Sequence, residues 1–245
     1  MNIRQYILVV FAIAAATTSI AAEAAHDSSQ SKFTVVGAAR LIAAGSAAPA
    51  NDASRIVVWL SPTDTVRPAS ATTSRTHYQL LQRNKRFEPS LLVVPVGSVV
   101  DFPNDDPWFH NVFSLYQGKR FDLGLYQAGA KRSVRFDRVG PSYLFCNIHS
   151  EMTGVVLVVD SDFFGITDKN GHYSIPGVAP GTYVLHVWYE NAAAEGLQAQ
   201  QRQVTIQIDN QILPLISIKA AKQVPAEHKN KYGQDYDPDT LKTVY

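Results

Sequence analysis

The sequence predicts an all-β protein, most economically a pair of β-sandwiches. Short runs of alternating or β-branched residues recur along the 245 residues, which is how half-buried strands read. Gly and Pro pairs punctuate those runs at Gly140-Pro141, Asn170-Gly171 and Pro180-Gly181, which is how turns read. Helical period is nearly absent: the one candidate, "ENAAAEGLQAQ" at 190–200, is short and holds a glycine. In chain order the expected strands are "FTVVGAARL" (33–41), "SRIVVWL" (54–60), "SLLVVPV" (90–96), "SVVDF" (98–102), "KRSVRFD" (131–137), "TGVVLVV" (153–159), "TYVLHVWY" (182–189) and "QVTIQI" (203–208). The Ala/Ser/Thr-rich pieces near 43–54 and 69–76 read as loops. Residues 221–245 are polar, lack either period and read as a tail ordered only in part.

The first residues carry one early charge, Arg4, then an apolar run from Tyr6 to Ala16 and small residues around Ala21 to Ala25. That is the pattern of a cleaved export leader, placed at 1–24. The run is shorter than the roughly 20 residues a membrane span needs, so no membrane span is expected after cleavage. The expected location is periplasmic or secreted. A formal net charge of +1 gives no push toward nucleic acid. The chain has one cysteine, so no intramolecular disulfide framework exists. An unpaired thiol in an oxidising compartment needs burial, a partner or a metal to protect it.

That cysteine opens the segment "CNIHSEM" at 146–152. Gly140-Pro141 upstream and the valine run downstream leave no room for a helix, so a tight loop between two strands is expected. Such a loop can aim the Cys146 thiolate, the His149 imidazole and the Met152 thioether at one point. A fourth donor is available from His110, which follows the turn-rich stretch "FPNDDPW" and opens another strand with Asn111. Two His, one Cys and a weakly held Met form the ligand set of a blue-copper electron-transfer site. Taken singly, each has a plainer reading: a small buried cysteine, an exposed histidine, a core methionine. Zinc is the next metal, but a Met ligand argues against it. Asp101, Asp105 and Asp106 read as turn-shaping and solvating residues before His110.

The pattern Y-x-x-C-x-x-H-x-x-M-x-G-x-V-x-V, with His-Asn at the head of an earlier strand, resembles the cupredoxins. The short C-x2-H-x2-M loop is similar to that of amicyanin. "FPNDDPWFHNVFS", "FDLGLY" and "FCNIHSEM" resemble bacterial periplasmic proteins of the methylamine-utilization type, over about 33–220. The resemblance implies a Greek-key β-sandwich with one type 1 copper. It implies His110, Cys146 and His149 as equatorial ligands, Met152 as the axial one, and Asn111 bracing the loop and tempering the sulfur. It also implies single-electron exchange with redox partner proteins, through a transient interface near an exposed edge of His149. Ser150 stands where relatives often have Pro, which loosens the loop without removing a ligand.

An enzyme is not expected. Cys146 is flanked by Phe145 and Asn147, whereas in multicopper oxidases and copper nitrite reductases a histidine beside that cysteine serves a second copper. There is no H-x-H, G-x-S-x-G, HExxH or P-loop. His77 and His172 read as exposed on loops or turns, and His186 as one face of a strand. Two further readings are a copper-binding role in delivery, sensing or storage, and a structural β-sandwich without a working site.

"ITDKNGHYSIPGVAPGTYVLHVWYE" (166–190) resembles the carboxypeptidase regulatory-like, transthyretin-like module, a small β-sandwich. Asn170-Gly171 and Pro180-Gly181 are expected to turn successive hairpins, with Tyr173, Ile175, Tyr183 and Leu185 on one face. Asp168 and Asn170 fit that turn better than a calcium site. The module, at 161–220, lacks its first strands, and 33–62 has the look of them. The copper domain would then be 75–160, inserted into the other. The alternative is two domains in series, with 33–62 an extra edge of the copper domain.

Overall fold

The computed structural model describes residues 31–45, 48–63, 77–115, 118–221 and 228–236. The expected leader, the loop at 69–76 and the outer parts of the expected tail, 222–227 and 237–245, lie outside the described residues. No helix among the described residues is long and apolar enough to cross a membrane.

Among the described residues the regular structure is almost entirely strand. It begins with β1 (Phe33–Ile42) and β2 (Val57–Pro62), followed by β3 (His77–Gln79), β4 (Leu81–Arg83), β5 (Arg86–Glu88), β6 (Leu91–Pro95) and β7 (Val99–Pro103). Next come β8 (His110–Ser114), β9 (Phe121–Tyr126), β10 (Lys131–Arg135), β11 (Gly140–Phe145) and β12 (Thr153–Val159). Then follow β13 (Phe164–Ile166), β14 (His172–Val178), β15 (Gly181–Trp188), the short helix α1 (Ala194–Gln198), β16 (Arg202–Ile206), β17 (Gln211–Ile212) and β18 (Ile216–Lys219). Gly140-Pro141 is not a turn. It opens β11, pairing Gly140 with Val158 and Pro141 with Leu157.

The strands form two sandwiches. In one, the sheet β6-β12-β11-β8-β9 accompanies the sheet β10-β7-β3, around Leu80, Phe87, Phe102, Val112, Phe136, Leu144, Val156 and Val158. In the other, β13-β2-β15-β16 accompanies β14-β1-β17, with β18 also on β1, around Val35, Ile56, Val58, Leu60, Ile175, Leu185, Ile206 and Ile216. The strands of 33–62 therefore pair with those of 164–219: β1 with β14, β17 and β18, and β2 with β13 and β15.

The two turns expected as hairpins are arches. Asn170-Gly171 joins β13 to β14, and Pro180-Gly181 precedes β15 after β14, yet each pair of strands lies in opposite sheets. The sequence shows the turn but not which edge the next strand meets. At the first arch Asp168 accepts from the amides of Asn170 and His172, at 2.9 and 2.8 Å, an Asx turn. Gly171 sits at φ +82°, and a Cβ there would lie 2.0 Å from the Ala39 carbonyl oxygen. Tyr173, Ile175, Tyr183 and Leu185 do point into one core, from facing sheets.

β12 explains why "TGVVLVV" shows no alternation. Val156 and Val158 face the first core, while Val155, Leu157 and Val159 pack with Val57, Leu91, Val93 and Trp188 between the sandwiches. A strand covered on both faces is apolar on both.

Candidate metal centre

β11 and β12 are joined by residues 146–152, and the loop closes on itself. The Cys146 amide donates to the Met152 carbonyl at 3.1 Å, and the Met152 amide to the His149 carbonyl at 3.0 Å. β11 meets β8 at Phe145↔Phe113, which brings Cys146 beside the strand that starts with His110 and Asn111.

Three donor atoms converge. His110 Nδ1 and His149 Nδ1 are 3.1 Å apart, and Cys146 Sγ lies 3.6 Å from His149 Nδ1 and 3.9 Å from His110 Nδ1. Metal–nitrogen bonds of about 2.0 Å and a metal–sulfur bond of about 2.3 Å at trigonal angles would separate nitrogens by about 3.5 Å and nitrogen from sulfur by about 3.7 Å. The two nitrogen–sulfur distances straddle the second value and the nitrogen–nitrogen distance of 3.1 Å is about 0.4 Å shorter than the first, so a small opening of the two rings fits the three donors to one ion. Cys146, His110 and Met152 are fully buried and His149 is 7% exposed. His110, Cys146 and His149 thus stand together as a buried cluster. Met152 closes the same loop and joins the same core.

Burial pushes the Cys146 thiol up, against four main-chain amides, of Asn111, Ile148, His149 and Asn147, that are directed at the sulfur and favour the thiolate. Burial, with His110 and Lys85 nearby, lowers His149 to about 4. Burial also lowers His110, although Asp106 opposes it. At neutral pH both imidazoles are therefore uncharged and offer lone pairs, the state a metal requires.

Asp106 carries a contact to His110 beyond the turn expected of it. It shapes a turn as expected, accepting the amides of Asn84 and Lys85 at 2.7 and 2.9 Å. It also lies 2.8 Å from His110 Nε2 and is nearly buried. Burial alone would raise its pKa, but the Lys85 and Asn84 amides and His110 outweigh it and hold the carboxyl below its usual range. An ionised carboxylate only accepts, so the proton of His110 sits on Nε2. Nδ1 is left as the free lone pair, aimed at the cluster. The signal was available as the D-x3-H spacing that ends the turn-rich stretch.

Asn111 follows His110 in β8. Its main-chain N–H faces the sulfur, while its side chain donates to Asp122 at 2.7 Å. Its Oδ1 is buried without a hydrogen-bond partner among the described residues. His77 and His172 are exposed as expected but lie at the starts of β3 and β14 rather than in loops. His186 stacks on Trp59 with ring centroids 5.0 Å apart. None of the three reaches the cluster.

The comparisons with known proteins are partial. A family model described as "Polysaccharide lyase family 4, domain II" matches residues 157–212, from within β12 to the end of β17. No curated protein matches the chain. Among solved structures, a Cu-containing nitrite reductase from Thermus scotoductus SA-01 is similar at 24% identity over 35% of this chain, with a TM-score of 0.34. The match spans 23% of that enzyme's length. A purple cupredoxin from Nitrosopumilus maritimus is similar at 27% identity over 33% of this chain and 98% of its own, with a TM-score of 0.31. A variant of amicyanin in its Cu(I) form is similar at 21% identity over 36% of this chain and 88% of its own, with a TM-score of 0.33.

Proposed function

We propose that this chain is a copper protein that carries single electrons between partners. The convergence of His110 Nδ1, His149 Nδ1 and Cys146 Sγ in a buried, prefolded pocket carries the reading. His110, Cys146 and His149 would hold the ion, with Met152 as a weak fourth donor. Bound copper would supply one-electron exchange between Cu(II) and Cu(I). The chain's own part is to keep the donors fixed in both states. Asp106 holds the His110 ring, the hydrogen bond from the Cys146 amide to the Met152 carbonyl holds the loop, and core packing holds the thioether. A site that cannot relax moves an electron with little rearrangement.

Burial favours a carrier over delivery or storage. Donors that are nearly or fully out of solvent suit slow exchange of the ion, whereas a chaperone needs an open path. The partner interface is proposed to be transient and close to His149. The side chains offering apolar contact beside the His110 strand are Phe109 and Leu125, about half exposed. A patch of that kind fits a small, short-lived encounter.

Adding Cu(II) to the leaderless protein should give a strong blue colour from thiolate-to-copper charge transfer, bleached by ascorbate and absent in Cys146→Ser. A colourless product, or zinc kept in preference to copper while Cys146 is freely alkylated, would overturn the reading.

A further inference from the structure

The segment 228–236 carries no strand or helix, yet it makes four polar contacts around the metal loop. The Tyr236 hydroxyl donates to the Cys146 carbonyl at 2.8 Å. His228 Nε2 lies 2.7 Å from the Ser150 carbonyl. The Lys231 amide donates to Asn147 Oδ1 at 3.0 Å, and Lys231 Nζ pairs with Asp122 at 2.8 Å. The His228 ring packs on Phe145, with centroids 4.4 Å apart, and edge-on against Tyr236. These contacts reach across at least 78 residues of sequence, so chain proximity does not explain them.

Two of the contacts lead to the sulfur. Tyr236 donates to the carbonyl of the Cys146–Asn147 peptide, and the N–H of that same peptide is directed at Cys146 Sγ. A hydrogen bond to a peptide oxygen polarises the unit and strengthens donation from its nitrogen. Lys231 grips Asp122, and Asp122 accepts from Asn111 Nδ2 at 2.7 Å. The main-chain N–H of Asn111 is also turned toward the sulfur. The segment thus holds both an amide of the loop and an amide of the facing strand.

We propose that residues 228–236 are a clasp that withdraws electron density from the Cys146 sulfur through the Cys146–Asn147 peptide and steadies Asn111, whose main-chain N–H faces the same sulfur, with Tyr236 as its positioning residue. The inference rests on the copper reading. Hydrogen bonds at a thiolate ligand favour the reduced ion, because they stabilise charge that the higher oxidation state would draw away. Removing the clasp therefore lowers the reduction potential.

The test uses the full chain without its leader. Tyr236→Phe keeps the ring against His228 and removes only the hydroxyl. Without metal, amides in 147–151 should exchange with solvent about fivefold to tenfold faster than in the parent, as expected when the hydroxyl's hydrogen bond to the Cys146 carbonyl is lost together with its 3.2 Å contact to His228 Nδ1. With copper, the potential should fall and the charge-transfer band should shift, while the thermal midpoint stays close to the parent's. Lys231→Met should move the potential the same way through the Asn111 side. Faster exchange with unchanged potential and band would show a merely structural strap and overturn the proposal. Unchanged exchange would show that the clasp does not grip the loop, and would also overturn it. If the parent binds no copper, the copper reading fails and the tuning falls with it. The metal-free exchange would still show whether the grip exists.

Discussion

Asp106→Asn keeps the shape of a side chain that makes three buried or part-buried contacts and changes what it can accept. One carboxylate oxygen takes the Asn84 amide; the other takes the Lys85 amide and His110 Nε2–H. An amide can serve only one of those two positions as an acceptor. If its NH2 faces His110 and Lys85, it meets two donors, and His110 must move its proton to Nδ1, onto the metal side. If its NH2 faces Asn84, one buried donor is lost and the bond to His110 is no longer charge-assisted. The second arrangement costs less. It forfeits about 1.5–3 kcal/mol of charge-assisted hydrogen bonding. Partners that orient a metal-bound histidine are worth about 10–100-fold in affinity, and the same loss is expected here. Chelator competition for Cu(I) would measure the affinity, and denaturant melts of the metal-free protein would measure the stability. An affinity within threefold of the parent's, with an unmoved melt, would refute the role given to Asp106.

Met152→Leu should keep the blue colour and raise the potential, since a weak donor to Cu(II) is lost while the buried volume is nearly conserved; loss of copper altogether would show that Met152 is more than a weak ligand. Metal-free protein should lose stability on acidification. His149 titrates near 4 when folded and near 6.5 when unfolded, so its neutral form contributes fully above 6.5. That contribution falls by up to about 3 kcal/mol as the pH drops from 6.5 to 4; melts that are flat over this window would contradict it. Ile175→Ala, a fully buried truncation facing the second core, should cost about 2–5 kcal/mol in a denaturant melt, and a cost under 1 kcal/mol would show a site that collapses freely. A chain of residues 161–220 alone should not melt cooperatively, because Val35, Ala39, Leu41, Ile56, Val58 and Leu60 of its core come from 33–62. Joining 33–62 to it through a short Gly/Ser linker should restore a transition.

The strands were legible because burial on one face leaves a period of two, and the metal cluster because Cys, His and Met seldom share so short a loop. What could not be read has a physical cause in each case. The arches at Asn170-Gly171 and Pro180-Gly181 have the turn chemistry of hairpins, since a turn's residues report local φ and ψ and not the sheet the next strand joins. Gly140-Pro141 looked like a turn, yet both residues pair within β11. Residues 228–236 show no period because they form no ladder. Their order comes from single hydrogen bonds to Cys146, Asn147 and Ser150, and His228 looked like any polar residue of a tail. Asp106 was read as a turn residue, and it is one; its second contact, to His110, depends on the third dimension.

The placement of β12 ties these observations together. It begins at Thr153, immediately after Met152, so whatever fixes the strand fixes the end of the metal loop. Its ladder runs antiparallel to β11 on one side and parallel to β6 on the other, which fixes its position along both neighbours. Val156 and Val158 pack in the core that also contains Cys146 and Met152, while Val155, Leu157 and Val159 pack toward Val57 and Trp188 of the other sandwich. Each such side chain contributes about 1.5–3 kcal/mol on burial, so sliding the strand by one residue would exchange its two apolar faces and misfit both cores together. The second sandwich, which brings no donor to the cluster among the described residues, packs on the strand that carries the loop. It clamps the outer face of the strand from which the loop springs, and gives His149 and Met152 a fixed base against which Asp106 and Tyr236 can orient the remaining parts.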